Sequence, residues 1–197
     1  VLMLKNSKRM IEKYLKQHFF KYVKDIEDGT ERISIVFNGY DCCPDSIIES
    51  CIYFNSDSME CRTYYSQSGA KWCAESSYRQ DLYRLLNFIN ARVFPTTPDD
   101  GIGGMLYKPS YLYSPRMYIT EDGCFDVTLT TIIPYDFFDV APLETLDYLT
   151  VSCPELLNKL SLPIFSILLG KWYIISAISY IKTVVLMEDL LCDKNFS

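Results

Sequence analysis

Histidine and cysteine are the residue types that most often serve as general bases and nucleophiles, and this sequence has one histidine and eight cysteines. His18 falls among apolar residues at helical spacing, which favours a structural role over general-base catalysis. The cysteines form no C-x-x-C pair, and the adjacent Cys42 and Cys43 are poorly placed to chelate one ion. Cys51 is the best candidate for a reactive thiol, because it lies opposite Arg62 in a predicted hairpin. We therefore expect no metal, no cofactor and no catalytic residue.

A second set of residues has the order of a metal-dependent hydrolase site. Pro44-Asp45 is followed by Glu60-Cys61-Arg62, so two carboxylates precede a cationic side chain. Two carboxylates can hold a divalent ion, and the cation can stabilise charge that develops during hydrolysis. The order resembles that of the PD-(D/E)xK nucleases, with arginine where those enzymes have lysine. A hydrolase or nuclease that uses Asp45, Glu60 and Arg62 is therefore the alternative to a non-enzymatic function.

Tyrosine is abundant, with 16 residues in a chain of 197. Tyrosine buries a large area at low entropic cost and is enriched at protein interfaces. One group lies in a proline- and glycine-rich loop over residues 95–115, and another lies on the polar face of a predicted hairpin. Either these side chains contact a partner, or the loop folds its own tyrosines back onto the domain. The candidate partner-binding residues are Tyr107, Tyr111, Tyr113, Tyr53 and Tyr64.

The net charge is −6, so the surface repels phosphate backbones and nucleic acid is excluded as the expected partner. Val1 to Leu4 is too short for the apolar core of a signal peptide, and Lys5 follows at once. The sequence therefore predicts a cytoplasmic protein whose eight cysteines are free thiols.

The first element predicted is an amphipathic helix that starts at Asn6 or Ser7 and ends at Gly29. Apolar residues recur at i, i+1, i+4 and i+5 through this segment, which is the stripe of a helix with one buried face. The stripe comprises Met10, Ile11, Tyr14, Leu15, His18, Phe19, Tyr22, Val23 and Ile26.

Three strands follow, over Glu31–Asn38, Ser50–Phe54 and Met59–Ser66. The polar Ser56-Asp57 predicts a hairpin turn between the last two, in a register that pairs Phe54 with Met59 and Ile52 with Cys61. One face of this hairpin is apolar, and the other carries Tyr53, Glu60, Arg62 and Tyr64. Such a division predicts an antiparallel sheet with one buried face.

The remaining patterns predict a helix, a hairpin and further helices. A capping box at Ser77–Gln80 opens a helix that ends before Pro95. A hairpin over Arg116–Thr120 and Cys124–Ile133 follows. Helical pieces then begin at Pro142 and at a capping box over Ser152–Glu155, and the second ends at Gly170.

The C-terminal segment over residues 172–191 is apolar on all sides. A short apolar run of this kind fits a buried helix or a buried strand, and we predict a helix there. A membrane span needs about 20 apolar residues. Lys171 and Lys182 interrupt the run, so no span is expected. Left exposed, the segment would form an unusually large apolar patch. We therefore expect it to cover core surface and to contribute to a homodimer interface.

The predicted order is helix, three strands, helix, two strands, helix, and it resembles the fold of the YbjN family and of type III secretion chaperones. Leu86–Asn90 resembles the N-x-x-N segment on the middle helix of YbjN proteins, in which Asn87 and Asn90 are expected to be structural. The strand pair around Asp122-Gly123 and the stretch Pro163–Gly170 also resemble that family. We assign residues 1–170 to this α+β domain, with the loop 95–115 inserted, and residues 171–197 to an apolar extension packed on it.

This resemblance implies a small acidic cytoplasmic dimer without catalytic residues, whose helices and sheet bind client segments. The sequence thus leads us to expect a non-catalytic protein-interaction module, chaperone-like or regulatory. An immunity-type inhibitor that blocks a toxin shares the same binding physics and is a further alternative.

Overall fold

The structure is a computed structural model that describes residues 2–99, 106–109 and 113–188. Its helices are α1 Leu2–Gln17, α2 Gln67–Glu75, α3 Arg79–Arg92, α4 Tyr135–Val140, α5 Pro142–Asp147, α6 Cys153–Leu168 and α7 Ile174–Tyr180. Its strands are β1 Tyr22–Glu27, β2 Thr30–Asn38, β3 Ile47–Phe54, β4 Ser58–Tyr65, β5 Thr96–Asp99, β6 Leu106–Pro109, β7 Arg116–Ile119 and β8 Val127–Pro134.

The main sheet has six antiparallel strands in the order β1-β2-β3-β4-β8-β7, and β5 and β6 form a separate two-stranded antiparallel sheet. Alternate side chains of the main sheet enter one hydrophobic core with side chains of α1, α3 and α6. The α+β class and the antiparallel sheet predicted from the sequence are therefore confirmed. The predicted order of elements is not matched, because four strands precede the first central helix and two helices follow them.

The first correction concerns the N-terminal helix, which ends at Gln17 rather than at Gly29. Tyr22, Val23 and Ile26 instead lie in β1, which pairs with β2 through a two-residue turn at Asp28-Gly29. Both turn residues have positive φ, at 49° and 80°, as a type I′ turn requires. The same apolar residues fit a helical and an alternating pattern, and the Asp-Gly turn selects the strand.

Phe19 ends α1 in an unusual way. The N–H groups of Phe19 and Phe20 donate to the carbonyl oxygens of Lys16 and Leu15, at 3.2 and 2.9 Å, which is a Schellman motif. Phe19 occupies its left-handed position with φ of 58°, where glycine is the usual residue. Its side chain is 92% exposed, so packing does not explain why phenylalanine stands there.

The predicted β3–β4 register is confirmed, with Phe54 opposite Met59 and Ile52 opposite Cys61. The helix before Pro95 is present as α3, but it begins at Arg79 without the predicted capping box. Ser76 Oγ instead accepts the backbone N–H of Tyr78 at 3.0 Å. The hairpin of β7 and β8 also matches the prediction in place and direction.

Helix α2 was not predicted. It packs closely because Gly69 has no side chain, and a Cβ there would lie 2.9 Å from Tyr65 Cβ and 3.1 Å from the ring of Phe165. The close approach brings α2 against β4 and α6. A short segment of small residues gives a weak periodic signal, which is why the pattern did not reveal it.

The C-terminal helices form one nearly continuous run. A π-helical turn over Tyr148–Ser152 joins α5 to α6, and Ser152 has helical dihedral angles, so the capping box predicted there is absent. Helix α6 ends at Leu168, and Gly170 terminates it in the left-handed conformation, with φ of 67° and an N–H that donates to Ile167 O at 2.8 Å. The predicted stop at Gly170 is therefore confirmed.

The apolar tail is helical, as predicted, through α7 and a following π-helical turn over Ile181–Val185. Ala177 and Ile181 are fully buried, and α7 contacts both α3 and α6. Tyr173 and Ile175 are 85% and 79% exposed. Across the described ranges, no helix combines the length and apolar character that a membrane crossing requires.

Candidate functional site

The face of the main sheet that points away from the helical core collects most of the polar candidates. The register places Arg32 beside Tyr53, Tyr53 beside Glu60, and Tyr64 beside Thr128, all on this side. We call it the open face, and its strand residues include Val23, Asp25, Glu27, Arg32, Ser34, Val36, Glu49, Cys51, Tyr53, Glu60, Arg62, Tyr64, Arg116, Tyr118, Thr128, Thr130 and Ile132. Its apolar members Val23, Val36 and Ile132 are 64%, 44% and 65% exposed.

Tyr53 is fixed at the centre of a charged network on the open face. Its hydroxyl donates to Glu27 Oε2 at 2.6 Å and accepts from Arg32 Nη1 at 3.2 Å. The guanidinium of Arg62 lies 4.7 Å from the centre of the tyrosine ring, within the range of a cation–π contact. Arg62 in turn binds Glu60 at 2.7 Å.

Arg32 connects this tyrosine to β1. Its Nε and Nη2 donate to the two carboxylate oxygens of Asp25 at 2.6 and 3.0 Å, and Nη1 lies 2.7 Å from Glu27. The hydrogen bond from Arg32 holds the pKa of Asp25 below its usual value. Burial and the bond to Glu27 raise the pKa of Tyr53 to about 12, so its hydroxyl remains a donor at neutral pH.

Tyr64 and Cys51 form a second, uncharged group beside Tyr53. The Cys51 sulfur lies 3.2 Å from the Tyr64 hydroxyl and 3.3 Å from Ser34 Oγ. Burial, followed by the neighbouring Cys51, raises the pKa of Tyr64. Cys51 does lie opposite Arg62, as predicted, but it is buried. A reactive thiol needs access to its oxidant, so this position favours a structural thiol.

One end of the open face carries uncompensated negative charge. Burial, and then the nearby carboxylate of Asp126, raises the pKa of Glu49. Burial, and then Asp122, raises the pKa of Asp126. Neither carboxylate forms an ion pair with any residue in the described part of the chain. A cation brought to this end from outside would therefore be attracted.

The structure places the five candidate tyrosines differently. Tyr53 and Tyr64 lie together on the open face, and Tyr118 joins them, its hydroxyl bound to Thr130 Oγ1 at 3.0 Å. Tyr113 is 3% exposed, with its ring 3.9 Å from that of Tyr148 and its hydroxyl 2.9 Å from Thr145 Oγ1, so it belongs to the core.

The side chains of the other two loop tyrosines lie outside the part of the chain that the structure describes. Tyr107 lies in β6, where its backbone pairs with Pro98. Tyr111 lies outside the described residues. The candidate binding face is therefore the one built on the six-stranded sheet.

The residues of the hydrolase alternative do not come together. Asp45 lies in the turn before β3, where it accepts hydrogen bonds from Ser66 Oγ at 2.6 Å and Ser68 Oγ at 3.0 Å. Glu60 lies beside Tyr53, near the other end of β3. Strands rise about 3.3 Å per residue, so roughly 20 Å separates the two ends. The two carboxylates therefore cannot share one metal ion.

The other residues considered from the sequence lie elsewhere in the fold. His18 follows the end of α1, is exposed, and stacks on Tyr14 with ring centres 4.2 Å apart. Among the described residues, no group of three or more metal-ligating side chains could hold an ion. Seven of the cysteines are described and none forms a disulfide, whereas Cys192 lies outside the described residues.

Sequence reasoning missed the part of the open face that comes from β1. Asp25 and Glu27 were placed in a helix, so their contacts with Arg32 could not be foreseen. The Asp28-Gly29 dipeptide between two alternating segments was the available signal. Tyr118 and Glu49 were missed for a different reason, because only the pairing of β4 with β8 brings their strands into one sheet.

Comparisons with known proteins do not add to this picture. No family model matches the chain, and neither a curated protein nor a solved structure matches it.

Proposed function

We propose that this chain is a non-catalytic protein-interaction module, chaperone-like or regulatory, whose partner packs on the open face. The observation that carries the proposal is the position of Tyr53, which is held between the guanidinium groups of Arg32 and Arg62. Tyrosine and arginine are the residues that dominate binding energy at protein interfaces. A tyrosine already fixed by its neighbours loses little side-chain entropy when a partner covers it.

The charges and apolar residues of the open face also indicate what kind of partner fits it. Glu49 and Asp126 lie at one end and form no ion pair with a described residue, and their pKa values are raised by burial and then by repulsion from a nearby carboxylate, that of Asp126 for Glu49 and that of Asp122 for Asp126. A lysine or arginine from the partner would relieve that repulsion. The exposed Val36 and Ile132 offer apolar contact elsewhere on the face. We infer a partner protein segment that carries basic residues together with apolar ones.

A crosslinking experiment tests where the partner binds. A photoreactive phenylalanine analogue replaces Tyr118 on the open face in one variant and Leu162 on the exposed side of α6 in a control, both side chains being exposed. Illumination in the native host should give a crosslinked protein at position 118 and none at position 162. Equal products at both positions, or none at 118, would contradict the proposal.

A second comparison links binding to the central cluster. Arg62→Glu reverses the charge that contacts the Tyr53 ring, and Arg84→Glu makes the same change on an exposed helix surface. The crosslinked partner should bind the Arg84 variant as it binds the original chain and should bind the Arg62 variant at least tenfold more weakly, the loss expected for an interface anchor. An unchanged affinity of the Arg62 variant would remove the open face from consideration.

Two further interactions remain to be distinguished from binding of a client protein. A toxin blocked by an immunity-type inhibitor would be one kind of partner, and the identity of the crosslinked protein distinguishes it from a chaperone client. The homodimer expected from the apolar tail stays a prediction, and it uses the opposite side of the molecule.

A further inference from the structure

Helix α1 carries a row of positive charges on its outer side. Its buried side is formed by Ile11, Tyr14 and Leu15. Opposite these, at spacing i, i+4, i+8 and i+11, lie the exposed cations Lys5, Arg9, Lys13 and Lys16. We call these four residues the cationic stripe. It extends for about 16 Å along the helix, at 1.5 Å per residue.

The stripe is not neutralised by ion pairs within the part of the protein that the structure describes. Two acidic residues on or beside α1 already bind other cations, since Glu31 binds Lys8 at 2.6 Å and Glu12 binds Lys24 at 3.2 Å. Neither of these cations belongs to the stripe. Within the described ranges, none of the four stripe residues forms an ion pair.

The arrangement is unfavourable for an isolated helix. Lys5 and Arg9, and again Arg9 and Lys13, are like charges four residues apart, which repel each other on a helix surface. The first turn of α1 also contains no acidic residue that would favour the helix dipole. An anionic surface laid along the stripe would remove the repulsion.

Phe19 gives the second, independent observation. It stands directly after α1, its side chain is 92% exposed, and its backbone has the left-handed conformation that favours glycine. The neighbouring cations Lys16 and Lys21 flank it in sequence. An exposed aromatic side chain between lysines is the combination that peripheral proteins insert at the boundary between lipid headgroups and acyl chains.

We propose that the cationic stripe and Phe19 dock the protein on an anionic phospholipid surface. The stripe is straight and has no apolar side chain along its centre, whereas a protein interface normally has an apolar core. Lipid headgroups need only a field of positive charge, and the acyl boundary supplies an apolar medium for one protruding ring. The overall charge of −6 opposes binding in any other orientation. This surface is distinct from the open face, so each proposal stands without the other.

Sedimentation with vesicles tests the proposal on the full chain. The probes are vesicles of phosphatidylcholine alone and vesicles that also contain about 30% phosphatidylserine, the anionic lipid of cellular leaflets. We expect binding to the anionic vesicles only, and its loss when salt rises from about 0.05 M to about 0.5 M, because salt screens exposed charges. Equal binding to both vesicle types, or none to either, would overturn the proposal.

Matched variants locate the surface. Lys13→Gln with Lys16→Gln should lower partitioning about 25-fold, since each cation contributes about fivefold. Lys71→Gln with Lys159→Gln removes the same charge from exposed positions on α2 and α6 and should leave partitioning unchanged. An equal loss in both double variants would show that net charge, and not the stripe, determines binding.

Phe19 distinguishes a bilayer from an acidic protein. Phe19→Ala should lower partitioning about tenfold through loss of apolar insertion, and Phe19→Trp should give a blue-shifted emission on anionic vesicles. Polyglutamate offers negative charge without an apolar phase. If polyglutamate displaces the vesicles while the alanine variant binds as the original chain does, the stripe is a site for acidic protein and the lipid proposal is wrong.

Discussion

The side-chain amide of Asn90 forms two hydrogen bonds with the backbone of Met117, one from Nδ2 to the carbonyl oxygen at 2.9 Å and one from the Met117 N–H to Oδ1 at 2.8 Å. Strand β7 is an edge of the main sheet, so its outer backbone groups face no other strand among those that the structure describes. An unpaired edge invites association with other chains. One helix side chain thus takes the place of a strand at Met117 and ties α3 to the sheet.

Asn90→Ala should therefore lower the free energy of unfolding by about 1–3 kcal/mol, because two hydrogen bonds are lost. Asn87→Ala is the matched control, one turn away on the same helix. Asn87 is exposed and makes no hydrogen bond with described residues, and alanine is the better helix former. Urea denaturation measures both. The sequence led us to expect a loss for either residue, and the structure restricts that expectation to Asn90.

Phe19 leads to a prediction of the opposite sign. Its left-handed backbone is unfavourable for a residue with a Cβ, and its exposed ring contributes little burial. Phe19→Gly should raise the free energy of unfolding by about 1 kcal/mol, because glycine adopts this conformation without steric conflict. Phe19→Ala keeps the backbone conflict and should change stability by less than about 0.5 kcal/mol. A loss of stability in the glycine variant would show that the ring packs in solution.

A gain of stability in the Phe19→Gly variant would also bear on function. A residue that lowers stability and is nevertheless present is typical of binding sites, where structure is adapted to a ligand rather than to folding. The vesicle experiment and this stability experiment therefore examine the same residue from two directions.

The parts of the fold that the sequence predicted well are those with local signals. The β3–β4 register follows from alternation on both sides of a short polar turn, and the end of α6 follows from Gly170. The prediction for the N-terminal region was wrong because its apolar residues satisfy both the helical and the alternating periodicity. The break between α1 and β1 falls at Phe19, which is neither glycine nor proline, so no residue type marked it.

The candidate site shows the same division. Tyr53 and Tyr64 were placed correctly on the polar face of the hairpin because only their own strands were needed. The contact of Arg32 with Asp25 depends on β1 being a strand. The proximity of Glu49 and Asp126 depends on β8 pairing with β4, which is a long-range contact that no local pattern reports.

The carboxylates at the end of the open face predict a pH dependence. Because the pKa of Glu49 is raised on folding, the folded chain binds a proton more readily than the unfolded chain. The stability of the protein should then fall as pH rises from about 4 through the raised pKa of Glu49, as far as this residue contributes. Glu49→Gln removes the ionisable group.

The glutamine variant should melt at a higher temperature than the original chain at pH 7, and the difference should shrink as pH falls toward 4. Asp139→Asn, an exposed acid on α4, is the control and should show no such trend. Calorimetry at several pH values measures the effect. If the melting temperature of the glutamine variant instead rises relative to that of the original chain as pH falls, Glu49 has a stabilising partner when it is ionised.

The tail supplies the last prediction. Ile181 is fully buried where the tail packs on α3 and α6, so Ile181→Ala should lower the free energy of unfolding by about 2–4 kcal/mol. Ile175 lies on the same segment but is 79% exposed, and Ile175→Ala should cost less than about 0.5 kcal/mol.

If the exposed side of the tail forms the predicted homodimer interface, Ile175→Glu should yield monomers that remain folded, as light scattering on a sizing column would show. Removal of residues 171–197 should do more, because it uncovers α3 and α6 and gives an aggregating or poorly folded species. A truncated chain that stays folded and keeps its oligomeric state would refute both roles of the tail, which are to cover the core and to form the homodimer interface. A truncated chain that forms folded monomers would refute the first role and support the second.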